Sequence, residues 1–216
     1  NLVVSTGLPD NASFTFSASK YNPEGWDYTG EEVTFTVSAS DHFNHPVPNG
    51  TEIGVRTTGG TIKDSNDLKG SCTTLNGHCE ITLITTNPKP SSGRFKVTAF
   101  VVGEEYFTDL NGNGVYDSSD NFPLVLDDRG STRNDLAEIF IDVSDTGSYD
   151  LTKDESMDYN NNGVRDQSNS IYNGSLCSDA TLATNQCTRE LLYLGKELTL
   201  VMSSSDTVFS VYNETG

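Results

Sequence analysis

Three segments of the chain carry oxygen side chains at a spacing that suits a hard cation. Asp109, Asn111, Asn113 and Asp117 stand at the first, third, fifth and ninth places of one segment, with Gly114 at the sixth and Asp120 following. Asp158, Asn160, Asn162 and Asp166 repeat the pattern, with Gly163 at the sixth place and Asn169 following. A weaker copy runs Asp142, Ser144, Thr146, Gly147 and Asp150. This is the spacing of the EF-hand calcium loop, whose seventh residue ligates through its backbone carbonyl and whose twelfth closes the shell. Val115, Ser148 and Val164 hold the seventh place. Calcium takes about six to eight hard oxygens at roughly 2.3–2.6 Å, and alternate side chains of a tight loop supply them. Glycine at the sixth place lets the backbone turn at positive φ, so that the next carbonyl points inward. Asparagine adds oxygen without charge, which eases repulsion among the carboxylates.

The flanks repeat as well. An acid stands four residues before each loop: Glu105, Glu138 and Asp154. Phe107 and Phe140 hold the place two before the loop in two copies, with Ser156 in the third. Asp154 also falls one residue past the twelfth place of the middle loop, which makes it a ligand shared between neighbouring ions. A single such segment reads equally well as an Asn/Gly surface turn. Three with matching flanks point to calcium, at two to three ions. The neighbouring sequence lacks 3.6-residue periodicity, so no helices flank the loops as in an EF-hand. The ions are therefore expected to be structural, standing in for a missing apolar core.

What must hold these loops is a β framework. Phe14, Phe16 and Ala18 alternate with polar residues, as do Val33, Phe35, Val37 and Ala39. Ile53 and Val55, Ile62, Ile81 and Leu83, and Phe95, Val97, Ala99 and Val101 continue the period of two, between turn-forming Gly, Pro, Asn and Asp. Short strands without intervening helical patterns argue for an antiparallel sandwich. From residue 104 to 176 the apolar periodicity nearly vanishes, and a polar stretch of that length needs something other than a core to order it. The strand pattern returns over 190–202 and 207–212. Leu191, Leu192, Leu194 and Leu198 also fit a short helix, but Gly195 and the following run favour strand.

Composition narrows the function. Thirteen Lys and Arg against 31 Asp and Glu leave a formal charge of -18. Such a field repels phosphate backbones and anionic lipid heads, which argues against nucleic-acid binding, and it attracts cations. No apolar run approaches the roughly 18–20 residues of a membrane helix. No cleavable signal opens the sequence, whose first residues read as an interior fragment. The cysteines form two local pairs, Cys72 with Cys79 and Cys177 with Cys187, without zinc-knuckle spacing. Short disulfide loops in an oxidising compartment fit this, the alternative being half-buried thiols in a reducing one. Of the three histidines, His42, His45 and His78, the first two fall in a Pro/Asn turn and are expected to be solvated there, with a transition-metal pair as the alternative; no nucleophile elbow or phosphate-binding glycine loop is present. Catalysis is therefore not expected. Trp26, with Tyr28 beside it, is expected at a sandwich edge, with a sugar-stacking platform as the alternative.

Asn44-His-Pro46-Val-Pro48-Asn-Gly50-Thr51, Thr58-Gly-Gly-Thr-Ile62, the Cys72 to Cys79 loop and Gly93-Arg-Phe-Lys-Val-Thr-Ala99 resemble the bacterial immunoglobulin-like domains of the invasin and intimin group. His45 stands where that family has Asn, and no lectin-like receptor-binding tip is visible. The segment from Gly103 to Asp117, ending at Tyr172 to Cys177, resembles a calcium-loop insertion of some surface proteins of this type. The resemblance implies an immunoglobulin-like β-sandwich over 12–103, closed by a strand from 188–204, with the calcium insertion over 104–187. It implies an extracellular or cell-surface bacterial stalk, filament or adhesin module. The alternative is a module that binds glycan or protein directly. Residues 1–11 and 205–216 read as the end of one repeat and the start of the next, because Leu2-Val-Val-Ser5 followed by Phe14-Thr-Phe-Ser17 returns as Leu200-Val-Met-Ser203 followed by Val208-Phe-Ser-Val211, the alternative being chance similarity between two short β patterns. Neighbouring copies of the module are the expected partners.

Overall fold

The computed structural model describes residues 6–65, 67–122 and 134–205. Leu2–Ser5 and Thr207–Tyr212, on which the repeat reading rests, lie outside the described residues.

Two four-stranded antiparallel sheets face one another across a shared core. One runs β1 (Phe14–Ala18), β2 (Glu32–Ala39), β6 (His78–Ile84) and β4 (Thr61–Ile62). The other runs β12 (Leu192–Val201), β7 (Arg94–Gly103), β3 (Glu52–Thr57) and β5 (Lys69–Thr73). The alternation in the sequence becomes burial: Val33, Phe35, Val37 and Ala39 of β2 point inward, and its other side chains stay half-buried or exposed. They meet Ile53, Val55, Val97, Ala99, Leu194 and Leu200 of the opposite sheet. The Cys72–Cys79 disulfide joins β5 to β6, and so ties the two sheets together. The segment read as strand or short helix is strand, paired with β7 from Leu192↔Gly103 to Val201↔Arg94.

β7 departs from the alternation in an informative way. Lys96, Thr98 and Phe100 alternate with core residues and so face outward, yet each is at most 9% exposed. The polar insert between β7 and β12 covers them. Phe100 packs with Ile141, Met157, Ile139 and Tyr193 in a small cluster outside the sandwich. Gly195 of β12 is needed there: a Cβ on it would lie 2.7 Å from Ile139 Cγ2. Within the insert, β8 (Phe140–Ile141) pairs antiparallel with β9 (Glu155–Ser156), and β10 (Tyr172–Asn173) pairs parallel with β11 (Cys187–Thr188). A short helix, α1 (Asp179–Ala183), is N-capped by Ser178, an element the sequence did not announce.

The insert also holds more apolar material than its composition promised. Phe107, Tyr116, Tyr172, Cys177 and Cys187 form a cluster around the second disulfide, Cys177–Cys187. His42 stacks on Phe107 at 4.3 Å between ring centres, nearly parallel, and its Nδ1 lies 3.0 Å from Asp10 Oδ2. Its side chain is 7% exposed, so the expected solvated turn holds for His45 and not for His42. Two hydrogen bonds, Glu104 N–H to Pro9 O and Asn11 N–H to Glu104 O, join the N-terminal segment to the root of the insert.

Candidate metal centre

Each loop folds by the same local rule. Its first Asp accepts backbone N–H groups from further along the turn: Asp109 from Gly112 and Gly114, Asp142 from Thr146 and Gly147, Asp158 from Asn162 and Gly163. The sixth residue takes positive φ in all three, at 77° for Gly114, 74° for Gly147 and 83° for Gly163. So does the fourth, a regularity not singled out from the sequence: Gly112, Asp145 and Asn161 have φ of 71°, 51° and 57°. Gly, Asp and Asn are the types that tolerate this left-handed region.

A carboxylate then closes each loop by accepting one N–H near its start and the N–H of its ninth residue. In the first loop this is Asp120, which takes Leu110 N–H at 2.9 Å and Asp117 N–H at 2.8 Å. In the middle loop it is Asp154, which takes Ser144 N–H at 3.0 Å and Asp150 N–H at 2.8 Å, one residue late as its place in the sequence implied. In the third loop the closing acid is Glu138, which takes Tyr159 N–H at 2.8 Å and Asp166 N–H at 3.0 Å. Asn169 does not come to the third loop. Its N–H bonds Asp135 and its side chain accepts Ile171 N–H.

The acids that precede the loops thus serve elsewhere. Glu138 stands before the middle loop but closes the third, and Asp154 stands before the third but closes the middle one. Glu105 stands before the first loop but accepts Leu136 N–H at 2.6 Å and Asn173 N–H at 2.8 Å. It is fully buried; desolvation, with the nearby Asp135 carboxylate adding to it, pushes its carboxyl up to about 8.

The donor set fits a hard cation. In the first loop the oxygen-bearing side chains are Asp109, Asn111, Asn113 and Asp117, with the Val115 carbonyl at the seventh place. Asn111 and Asn113 direct their Nδ2 groups at Asp117 Oδ2, at 3.0 and 2.7 Å. Asn160 and Asn162 do the same to Asp166, at 2.7 and 2.8 Å. These N–H groups partly offset the carboxylate where a metal ion would offset it more fully. Among the described residues no three His, Cys, Asp or Glu side chains gather closely enough to hold an ion by themselves. Carboxamide and carbonyl oxygens would therefore complete any shell.

The middle loop differs from the other two. Arg94 makes a two-pronged contact with Asp145, at 2.8 and 3.2 Å. Lys96 Nζ lies 2.8 Å from Glu197 and 3.7 Å from both Asp142 and Asp145. Burial lowers the Lys96 pKa, but these three carboxylates outweigh it and raise the pKa overall. Ser144, Thr146 and Ser148 supply weaker donors here, with Thr146 Oγ1 donating to Ser148 O at 2.9 Å. Two protein cations thus flank the loop whose third and fifth places hold hydroxyls in place of carboxamides.

Trp26 and Tyr28 are 40% and 57% exposed, and Tyr21 in the same connection is 50% exposed. Comparison of the chain with protein-family models, with curated proteins and with solved structures finds no match.

Proposed function

We propose that the chain is a calcium-stiffened, immunoglobulin-like structural module of a bacterial surface stalk, filament or adhesin, without enzymatic activity of its own. One observation carries this reading: three loops of the insert share one backbone form, with positive φ at the fourth and sixth places, and in each a further carboxylate ties the ring by accepting the N–H of the ninth residue. The two four-stranded sheets, the resemblance of residues 12–103 and the two disulfides support the immunoglobulin-like and extracellular parts of it. Bound ions would rigidify the polar loops that lie between the insert's two small apolar clusters, and a stiff insert beside the sandwich resists bending. Tandem-linked copies of the chain, imaged with and without calcium, test the function. Straight rods that slacken on chelation support it; a floppy chain in both conditions refutes it.

A second reading has an observation of its own. Tyr21, Trp26 and Tyr28, all within the connection between β1 and β2, are exposed, and exposed aromatic side chains are the type that stacks on sugar rings. A glycan array probed with the wild-type chain and with Trp26→Ala decides whether the module also binds a surface ligand.

A further inference from the structure

We propose that Lys196 and Asn11 are the partners of an intramolecular isopeptide bond, which joins the last strand of the sandwich to the segment leading into its first. The observation behind it is a lysine on the inward face of a strand. Along β12, Leu194, Lys196, Leu198 and Leu200 share one face, and the leucines belong to the core of the sandwich or pack against it. A lysine there gives up hydration, and is rarely kept without a partner. Its partner is Asn11: Lys196 Nζ donates to Asn11 Oδ1 at 3.4 Å across 185 residues of sequence. Asn11 is itself buried, at 6% exposure. An amine and a carboxamide held together away from water are the two reactants of an amide exchange.

The exchange needs a neutral amine, a fixed carbonyl and a carrier for one proton. Burial lowers the pKa of Lys196, and the Asp10 charge only partly offsets this, which favours the neutral amine. The carbonyl is fixed through the backbone: Asn11 N–H donates to Glu104 O at 3.1 Å, and Glu104 N–H to Pro9 O at 2.9 Å. Its carbon lies one bond, about 1.2 Å, beyond the accepting oxygen. A turn of the long lysine side chain sets Nζ against that carbon at the roughly 3–3.5 Å of a reacting pair. Asp10 is the carrier. It adjoins Asn11, is fully buried, and is oriented by Ala12 N–H at 2.8 Å on one oxygen and His42 Nδ1 at 3.0 Å on the other. Nζ adds to Asn11 Cγ, and Asp10 takes one proton from the nitrogen and passes it to Nδ2. The Cγ–Nδ2 bond then breaks and ammonia leaves, with no oxidant, reductant or further reactant. On the stalk reading, tension between the two ends would pass through this bond and bypass the sheets between. The bond itself requires neither calcium nor that reading.

Mass spectrometry of the intact wild-type chain, reduced and alkylated, tests the bond without need of a variant. The expected mass is short of the sequence by one ammonia. Trypsin should then release residues 1–20 joined to 190–216, because a linked Lys196 no longer offers a cleavage site. Lys196→Arg keeps the charge without the nucleophile, and Asn11→Ala removes the carbonyl; both should show the full mass of their sequences. Asn11→Asp should restore the link with loss of water in place of ammonia. Asp10→Asn, folded by circular dichroism, should leave most of the chain unlinked; a variant linked as fully as the wild type overturns the role of Asp10. A wild-type chain of full mass, or an ammonia loss that maps to an Asn-Gly pair as a cyclic imide, overturns the bond. Either result leaves the stalk reading to the imaging of linked copies.

Discussion

Glu138 accepts the backbone N–H of Asp166 at 3.0 Å across 28 residues of sequence, and so closes a loop that does not contain it. The first loop closes itself through Asp120, and the middle loop through Asp154. The third borrows its acid from the strand-like segment on which it packs. The insert is therefore one interlocked unit, in which the third loop cannot form fully before residues 138–141 are in place.

Glu138→Ala should disturb the third loop and spare the first. It leaves the N–H groups of Tyr159 and Asp166 without their acceptor, at a cost of about 1–3 kcal/mol. For a chain of this size that lowers the melting temperature by roughly 2–4 °C per kcal/mol. Hydrogen exchange checks it: faster exchange over 158–166 with 109–120 unchanged is the expected pattern, and equal loosening of both loops contradicts it.

Calcium should raise the melting temperature by mass action, since folded loops bind and unfolded ones scarcely do. The gain at a thousandfold excess over Kd is about 4 kcal/mol per site. Chelation should loosen the described part of 104–176 while the sandwich keeps its protection. Identical unfolding curves in chelator and in millimolar calcium would end the calcium reading.

In chelator, stability should fall as pH rises from about 5 to 8. Burial raises the pKa of Glu104, and that of Glu105 to about 8, so the folded chain holds protons that the unfolded chain releases near 4.5. Their contribution is full below the unfolded value and is lost as pH climbs through the folded one. Asp117, Asp145 and Asp150 are shifted downward, so their contribution is already complete above pH 5 and does not mask the trend. Glu104→Gln should flatten part of the slope. Urea midpoints measured across this range check the sign; a rise with pH overturns it.

Gly195→Val should undock the insert without unfolding the sandwich. Its side chain would meet Ile139 Cγ2 and Cδ1, which a Cβ alone already approaches to 2.7 and 3.1 Å. Overpacking of this kind costs about 1–3 kcal/mol. Limited proteolysis should cut within 134–171 sooner in the variant, leaving a resistant core that contains β1 to β7.

Removing either disulfide should cost about 2–3 kcal/mol, because both close short loops, with sequence separations of 7 and 10. The two losses should differ in place. Replacing Cys72 and Cys79 loosens the junction between the sheets, and replacing Cys177 and Cys187 loosens the cluster around Tyr172 and Phe107. Hydrogen exchange of the two double variants distinguishes these regions.

The sequence by itself determined what depends on near neighbours along the chain. Alternating Val33, Phe35, Val37 and Ala39 specify an inward-facing strand, because a pleated backbone sends successive side chains to opposite faces. Asp109-x-Asn111-x-Asn113-Gly114 specifies its own turn, because the Asp side chain caps amides only a few residues away. Cys72 and Cys79 are seven residues apart, and the Asn76-Gly77 turn between them brings them together. The tertiary structure alone decided which acid closes which loop, why Lys96, Thr98 and Phe100 are covered, and where Glu105 and Asn169 go. Those outcomes depend on how the insert lies against β7 and β12, and a regular spacing of acids looks the same whether each serves its own loop or a neighbour's. Glu138, Asp154 and Glu105 share one place in the sequence pattern and hold three different places in the fold.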